Sequence, residues 1–177
     1  MRQQMTRIPP TLRCAFAQEG RVVMSRWSDF AAAEPEMAKA ARDLFYRVGI
    51  GLGYLATVRK DGGPRIHPFC PVIAGDGIYG FILNQSAKKL DLERDGRYAI
   101  HSFPSDDVDD EFYITGTARL VTDEAEYAAA KASYEASGGK TDDGETLFEF
   151  QLEKAMHAKY KARPDWPPAY RKWSAGR

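Results

Sequence analysis

The sequence has little cysteine and little histidine. Its 177 residues include two cysteines, Cys14 and Cys70, and three histidines. Two cysteines cannot build the disulfide framework of a small secreted protein, and the histidines are too far apart along the chain to suggest a metal centre. We therefore expect a reduced, cytoplasmic protein that holds no metal.

The chain also lacks net charge and long apolar runs. Its 25 basic and 25 acidic residues cancel, whereas nucleic-acid-binding proteins usually carry a basic excess. No apolar run approaches the roughly 20 residues of a membrane helix, and the N-terminus has no apolar segment typical of a secretory signal. We expect neither a nucleic-acid nor a membrane partner.

The composition predicts one domain. Hydrophobic residues make up 44% of the chain, enough for a core in a domain of ordinary size. Residues 1–23 are basic and lack periodicity, so we expect a flexible arm, or an upstream extension of a protein that begins at Met24. Residues 24–177 are expected to form a single domain.

Hydrophobic periodicity predicts a mainly β protein with helices, of the α+β class. Apolar strands are predicted with antiparallel pairing, and an Asp-Gly turn at 61–62 joins the first two into a hairpin. Two helices flank them: one has Pro35 in its first turn and apolar residues at helical spacing from Met37 to Val48, and the other is capped by Thr122. About six antiparallel strands in a small barrel with helical covers account for this pattern. The predicted strands are 52–58, 64–73, 78–83, 97–103, 111–121 with a bulge at Gly116, and 146–153, with 156–161 as its pairing partner.

A short stretch after the third strand predicts a site for an anion. Ser86 and Lys88 stand at the start of a helix, and Lys88 shares a face with Leu92 because they lie four residues apart. Free backbone N–H groups, a hydroxyl and a lysine suit a phosphate. The alternative is a hydroxyl cap followed by solvated lysines.

The order of these motifs resembles that of a known family. Pro64-Arg-Ile-His-Pro68 in the second strand, followed by Ser86-Ala-Lys88 and then Leu92, is similar to the FMN-binding split-barrel family, the relatives of pyridoxamine phosphate oxidase. The resemblance covers roughly residues 44–123. It implies a split β-barrel, FMN as cofactor, and a homodimer with the flavin at the subunit interface.

The resemblance assigns roles to particular residues. Ser86, Lys88 and Lys89 would hold the FMN phosphate, helped by Arg65 and His67, which lie two apart and so share a strand face. His67 stands where the oxidases carry a phosphate-binding arginine. The backbone of Pro68, Phe69 and Cys70 would lie along the flavin ring, because prolines leave this strand's ladder incomplete. The alternatives are a solvent-facing strand surface and an ordinary edge strand.

The implied function is an FMN-dependent oxidoreductase acting on a small organic molecule. The tail at 166–173 lacks the arginine- and histidine-bearing motif with which pyridoxamine phosphate oxidases grip their substrate, so we expect a different substrate. The alternatives are a deazaflavin-dependent reductase and a non-catalytic module that binds flavin or haem. The aromatic tail is expected either to close the pocket as a lid or to strap the barrel.

Overall fold

The computed structural model describes residues 23–104, 109–160 and 167–176. The predicted N-terminal arm lies outside the described residues except for Val23. Four helices are described: α1 (Trp27–Ala33), α2 (Pro35–Phe45), α3 (Ala87–Arg94) and α4 (Glu124–Ala136). The eight described strands are β1 (Gly53–Val58), β2 (Pro64–Phe69), β3 (Val72–Ala74), β4 (Gly77–Leu83), β5 (Arg97–Ser102), β6 (Glu111–Leu120), β7 (Glu145–Lys159) and β8 (Ala169–Ser174).

The strands form one antiparallel sheet that curls into a half-barrel. Its order is β2-β1-β5-β6-β7-β4-β3, and β8 pairs with β7. The two ends of this order, β2 and β3, follow each other in the chain and are separated by only Cys70 and Pro71. The sheet must therefore curl until its ends meet. The predicted fold class, a split barrel with flanking helices, is confirmed.

The structure has more strands than the six predicted. The predicted strand 64–73 is divided at Pro71, which has no N–H to donate to a ladder. The predicted pairing of 146–153 with 156–161 is wrong, because 146–153 and 156–159 belong to the single long strand β7. The bulge at Gly116 is confirmed by a register shift between Thr115 and Gly116.

Helices α1 and α2 cover the concave face of the sheet. The sequence predicts the helix that corresponds to α2. A separate helix, α1, precedes it, and Trp27 and Phe30 of α1 are buried. Glu34 and Pro35 separate the two helices, since proline suits the first helical position and restricts the residue before it. Among the described residues no helix is long and apolar enough to cross a membrane. The largest fully buried aromatic side chains are Trp27, Phe30, Phe45, Phe112, Phe148 and Phe150.

The aromatic tail forms a strand along the body of the protein. Strand β8 pairs antiparallel with the second half of β7. Trp173 packs edge-on against Phe30, with ring centroids 5.1 Å apart, and Arg171 forms an ion pair with Glu34. The described part of the tail thus has the contacts of a strap. Trp166 lies outside the described residues.

A close approach of β2 to β4 fixes the corner between β2 and β3. The ring of Phe69 lies so near Gly80 that a Cβ added there would stand 2.2 Å from the ring. The same ring meets Phe150 edge-on at 5.2 Å. Only glycine at position 80 allows the corner to lie this close to β4.

We expect Gly80→Ala to lower the free energy of unfolding by about 1–3 kcal/mol, the usual range for overpacking. The cause is the clash with Phe69, so the double variant Gly80→Ala, Phe69→Leu should lose less stability than the two single variants added together. Urea denaturation of the four proteins measures this coupling. Strictly additive losses would show that the Phe69 ring is not the obstacle.

Candidate functional site

The start of α3 is a helix N-terminus capped by a hydroxyl, which both sequence interpretations of this stretch require. Ser86 is the N-cap residue, and its Oγ accepts a hydrogen bond from the backbone N–H of Lys88 at 3.3 Å. The first turn contains no acidic residue. The positive end of the helix dipole is therefore uncompensated by any side chain of that turn, as the sequence predicts.

One face of β2 lines the barrel beside α3. Burial alternates along the strand, so Arg65, His67 and Phe69 share the inner face, while Ile66 and Pro68 are exposed on the outer face. Arg65 and His67 are half-buried on this face, whereas the alternative interpretation of the sequence expects them to face solvent. Strand β2 stands at the edge of the sheet, so its alternate backbone groups on the free side lack a neighbouring strand.

Asp91 joins α3 to β1 and β2. Its carboxylate is 3% exposed and accepts hydrogen bonds from Thr57 Oγ1 at 2.9 Å and Arg65 Nε at 2.7 Å. Arg94 donates to the other carboxylate oxygen at 3.0 Å. Burial acts to raise the pKa of Asp91, but these three donors outweigh it and lower the pKa below its ordinary value. Arg65 is therefore held in place by an anion of the protein itself.

His67 and Lys88 are neighbours whose polar atoms are incompletely satisfied. The Nε2 atom of His67 is buried and has no hydrogen-bond partner among the described residues. Burial lowers the pKa of His67, and the charges of Lys88 and Arg65 lower it further. Burial also lowers the pKa of Lys88. In the described ranges no carboxylate lies within ion-pair distance of the Lys88 ammonium, so a bound anion would relieve both groups.

Cys70 lies at the edge of this cluster. It lies close to Lys88, and the Tyr134 hydroxyl of α4 lies close to its sulfur. Burial, followed by the interaction with Cys70, raises the pKa of Tyr134 to about 12. Glu145 also faces Lys88, and burial raises the pKa of its carboxyl. Because its pKa is raised, the Tyr134 hydroxyl stays protonated at neutral pH. It can therefore donate or accept a hydrogen bond, but it carries no charge.

The remaining predicted site residues lie nearby with other partners. Lys89 forms an ion pair with Glu93 one turn along α3. The Phe69 side chain belongs to the core, so only its backbone is available to a ligand. Pro68 pairs with Tyr54 of β1 in the ladder. The structure therefore brings His67, Lys88, Ser86 and Cys70 together and gives Lys89 a separate partner.

Sequence reasoning missed three residues of this cluster: Asp91, Tyr134 and Glu145. Asp91 could have been found, because it lies three residues after Lys88 and next to the buried Leu92, on the same helix face. No local pattern indicates Tyr134 or Glu145. They reach the site only because α4 and β7 pack beside the β2–β3 corner. No group of three His, Cys, Asp or Glu that could hold a metal ion occurs in the described parts of the chain.

The outer face of the sheet carries a second group of aromatic residues. Tyr54 and Phe103 stack with ring centroids 4.3 Å apart and an interplanar angle of 15°. Tyr54 pairs with His101 across the β1–β5 ladder. The Nδ1 atom of His101 lies 2.7 Å from the carbonyl oxygen of Ser102, so Nδ1 carries the proton and donates it. In the neutral ring the lone pair is then on Nε2, and this atom lies 4.0 Å from the Glu111 carboxylate.

An antiparallel half-barrel with a basic cluster at one helix start defines a split-barrel protein. The sequence profile described as pyridoxamine 5'-phosphate oxidase matches residues 37–159, more than half of the chain. The chain belongs to this family, as the sequence resemblance predicts. No curated protein matches the sequence significantly.

Solved structures share the fold at low sequence identity. A heme binding protein from Mycobacterium smegmatis is 16% identical with a TM-score of 0.59; the match covers 76% of this chain and 57% of that one. A NimC/NimA family protein from Clostridium acetobutylicum is 18% identical with a TM-score of 0.56, covering 78% and 93%. HutZ, a heme storage protein from Vibrio cholerae, is 17% identical with a TM-score of 0.51, covering 68% and 89%.

We expect Asp91→Asn to lower the free energy of unfolding by about 3 kcal/mol at neutral pH, because it leaves Arg65 without its buried counter-charge. The folded pKa of Asp91 is lowered, so its stabilisation is complete above roughly pH 4, the unfolded value, and is lost as pH falls through the folded pKa. The difference between wild type and variant should therefore shrink under acid. A constant difference from pH 7 to pH 2 in chemical denaturation would contradict this assignment.

Proposed function

We propose that this protein is an FMN-binding flavoprotein that oxidises or reduces a small organic molecule. The observation that carries the proposal is the buried Nε2 of His67, which has no hydrogen-bond partner among the described residues, close to the Lys88 ammonium, which has no carboxylate of those residues within ion-pair distance. Both groups lie next to the hydroxyl-capped start of α3. A phosphate monoester supplies the negative charge and the acceptor oxygens that these groups lack.

The residues present fit the FMN phosphate. Lys88 supplies a cation, and His67 and Ser86 supply polar side-chain contacts at the positive end of the α3 dipole. Arg65 adds positive charge while Asp91 fixes its position. When bound, FMN supplies the transfer of electrons or hydride, and the protein supplies binding, orientation and electrostatics.

The flavin ring is proposed to lie along the backbone of Pro68, Phe69 and Cys70. These residues end the edge strand β2, and alternate backbone groups of an edge strand are available to a ligand. Tyr134 and Cys70 stand at the end of this segment. The tail lacks the phosphate-gripping motif of pyridoxamine phosphate oxidases, so the proposed substrate is another small molecule. A deazaflavin in place of FMN would be recognised by its different visible absorption.

Lys88→Ala should weaken FMN binding by about tenfold or more, since a hydrogen bond to a charged group contributes roughly 1.5–3 kcal/mol. Quenching of flavin fluorescence measures the dissociation constant. Lys39→Ala is the matched control, because this lysine of α2 is 71% exposed and pairs with Asp43. Equal affinity of the Lys88 variant and wild type would remove Lys88 from the site.

A homodimer with the flavin at the subunit interface is part of the proposal. The outer face of β2, β1 and β5 carries Ile66, Ala56 and Ala99 in one row across the sheet. Ile66 is 65% exposed, and its neighbours in the row are uncharged and small. An exposed, uncharged row of this kind suits contact with a second copy of the chain related by a two-fold axis.

Ile66→Glu should convert the dimer to a monomer, because each copy would bring a buried, unpaired carboxylate to the same interface. Light scattering at micromolar concentration measures the mass. Val48→Glu is the control, because Val48 is 68% exposed and lies outside the sheet. A wild-type protein that is monomeric with FMN present would contradict the dimer and the shared site.

Haem binding is a second candidate function, favoured by His101. Its Nδ1–H is held by the Ser102 carbonyl, an arrangement that fixes the tautomer and presents Nε2 as a metal ligand. The stacked Tyr54 and Phe103 provide a flat apolar neighbour. Two proteins of similar fold are named for binding or storing heme.

If haem is the ligand, titration of the purified protein with haemin should give a sharpened, shifted Soret band, and His101→Ala should abolish the shift. The control is His67→Ala, which removes an imidazole from the inner face instead. Binding of FMN with an unshifted haemin spectrum would exclude this candidate.

A further inference from the structure

We propose that His67 makes retention of the phosphate-bearing cofactor dependent on pH, with the cofactor held while the imidazole is protonated and released as pH rises. The inference rests on the proposed FMN function and adds a regulation to it. Its basis is the position of one imidazole nitrogen, which is buried inside a group of cations with no partner of its own.

The surroundings of His67 are set by its own strand β2 and by two further elements, α3 and β1. Arg65 lies two residues away on the same face of β2. Helix α3 contributes Lys88 and Asp91, whose charges both reach the imidazole. Across the ladder, β1 places Leu55 opposite His67. The Asp91 carboxylate is already bonded to Thr57, Arg65 and Arg94. The buried Nε2 of His67 therefore lacks an acceptor within the described part of the protein.

Without an anion, these surroundings favour the neutral imidazole. Burial is the largest cause that lowers the pKa of His67, and Lys88 and Arg65 add to it, while Asp91 opposes them. A phosphate placed among Lys88, Ser86 and His67 reverses the balance, because an adjacent dianion favours the charged ring. Binding of the phosphate is then coupled to uptake of one proton by His67.

The sign of the effect follows from this coupling. A group that binds a proton on complex formation strengthens binding at low pH and weakens it as pH rises through the pKa of the complex. One proton changes affinity by up to about tenfold per pH unit between the free and bound pKa values. The pH range in which affinity changes begins below about 6.5, the ordinary pKa of histidine, because the pKa of His67 without an anion is lowered. A phosphate monoester loses its second proton near pH 6, so the effect is cleanest above that pH.

An arginine at position 67 provides the matched comparison. Its guanidinium stays charged throughout this range, so His67→Arg keeps a phosphate donor but removes the titration. His67→Gln keeps a neutral donor. Lys88 also has a lowered pKa, and the slope that His67→Gln retains measures the contribution of Lys88 without a titrating group at position 67.

The test is a fluorescence titration of the full-length protein with FMN at pH 6.5, 7.5 and 8.5 (values set by the histidine window), with riboflavin in parallel. We expect the wild-type dissociation constant for FMN to rise by up to about tenfold per pH unit relative to His67→Arg. Riboflavin, which lacks the phosphate, should show no such difference.

The outcomes separate this inference from the proposed function. FMN binding with the same pH slope in wild type, His67→Arg and His67→Gln would overturn the inference and leave the flavin site intact. A pH-dependent difference that riboflavin shows equally would overturn it too, because the ring and not the phosphate would then sense the imidazole. Absence of FMN binding at every pH in wild type and His67→Arg would overturn the proposed function itself.

Discussion

The buried carboxylate of Asp91 is the interaction on which the candidate site depends. It binds Thr57 of β1, Arg65 of β2 and Arg94 of α3, and so holds the helix against two strands. A buried charge is costly unless it is paired and hydrogen-bonded, and here three donors satisfy it. The start of α3 is thereby fixed against the inner face of β2, which is the geometry that a phosphate site requires.

The curl of the sheet supplies the rest of the site. Because Cys70 and Pro71 join the two ends of the sheet order, residues from β2, α3, α4 and β7 converge at one end of the half-barrel. Gly80 allows Phe69 to lie against β4 at this corner. Tyr134, with its pKa raised to about 12, keeps its proton at neutral pH and sits beside Cys70. The site thus has one part with the Lys88 cation and the His67 imidazole, and a second polar part at Cys70 and Tyr134.

The two candidate ligands use opposite faces of the same sheet. The inner face of β2 offers cations to a phosphate, whereas the outer face at His101 offers a ring nitrogen to a metal. Of these two sites, only the one at the start of α3 has an unpaired cation, Lys88, among the described residues. Charge complementarity therefore favours FMN, and the haem hypothesis depends on one imidazole and its stacked neighbours.

Much of this could be predicted from the sequence, because the informative signals are local. Asp-Gly at 61–62, the cap at Ser86 and the bulge at Gly116 act within a few residues, and each is present in the structure. The ion pairs of Arg65 and Lys89 were not predicted, since a strand face or helix face does not reveal which partner a charge will meet. Tyr134 and Glu145 come from distant parts of the chain and are brought in by packing alone. The continuity of β7 was missed because its second half lacks the strict alternation of its first.

The most direct test of the flavin site is a crystal structure of the protein grown with FMN. We expect the phosphate at the start of α3, within hydrogen-bonding distance of Ser86, Lys88 and His67, and the ring along the backbone of residues 68–70. A phosphate bound elsewhere, with His67 Nε2 and the Lys88 ammonium still without an anionic partner, would contradict this assignment.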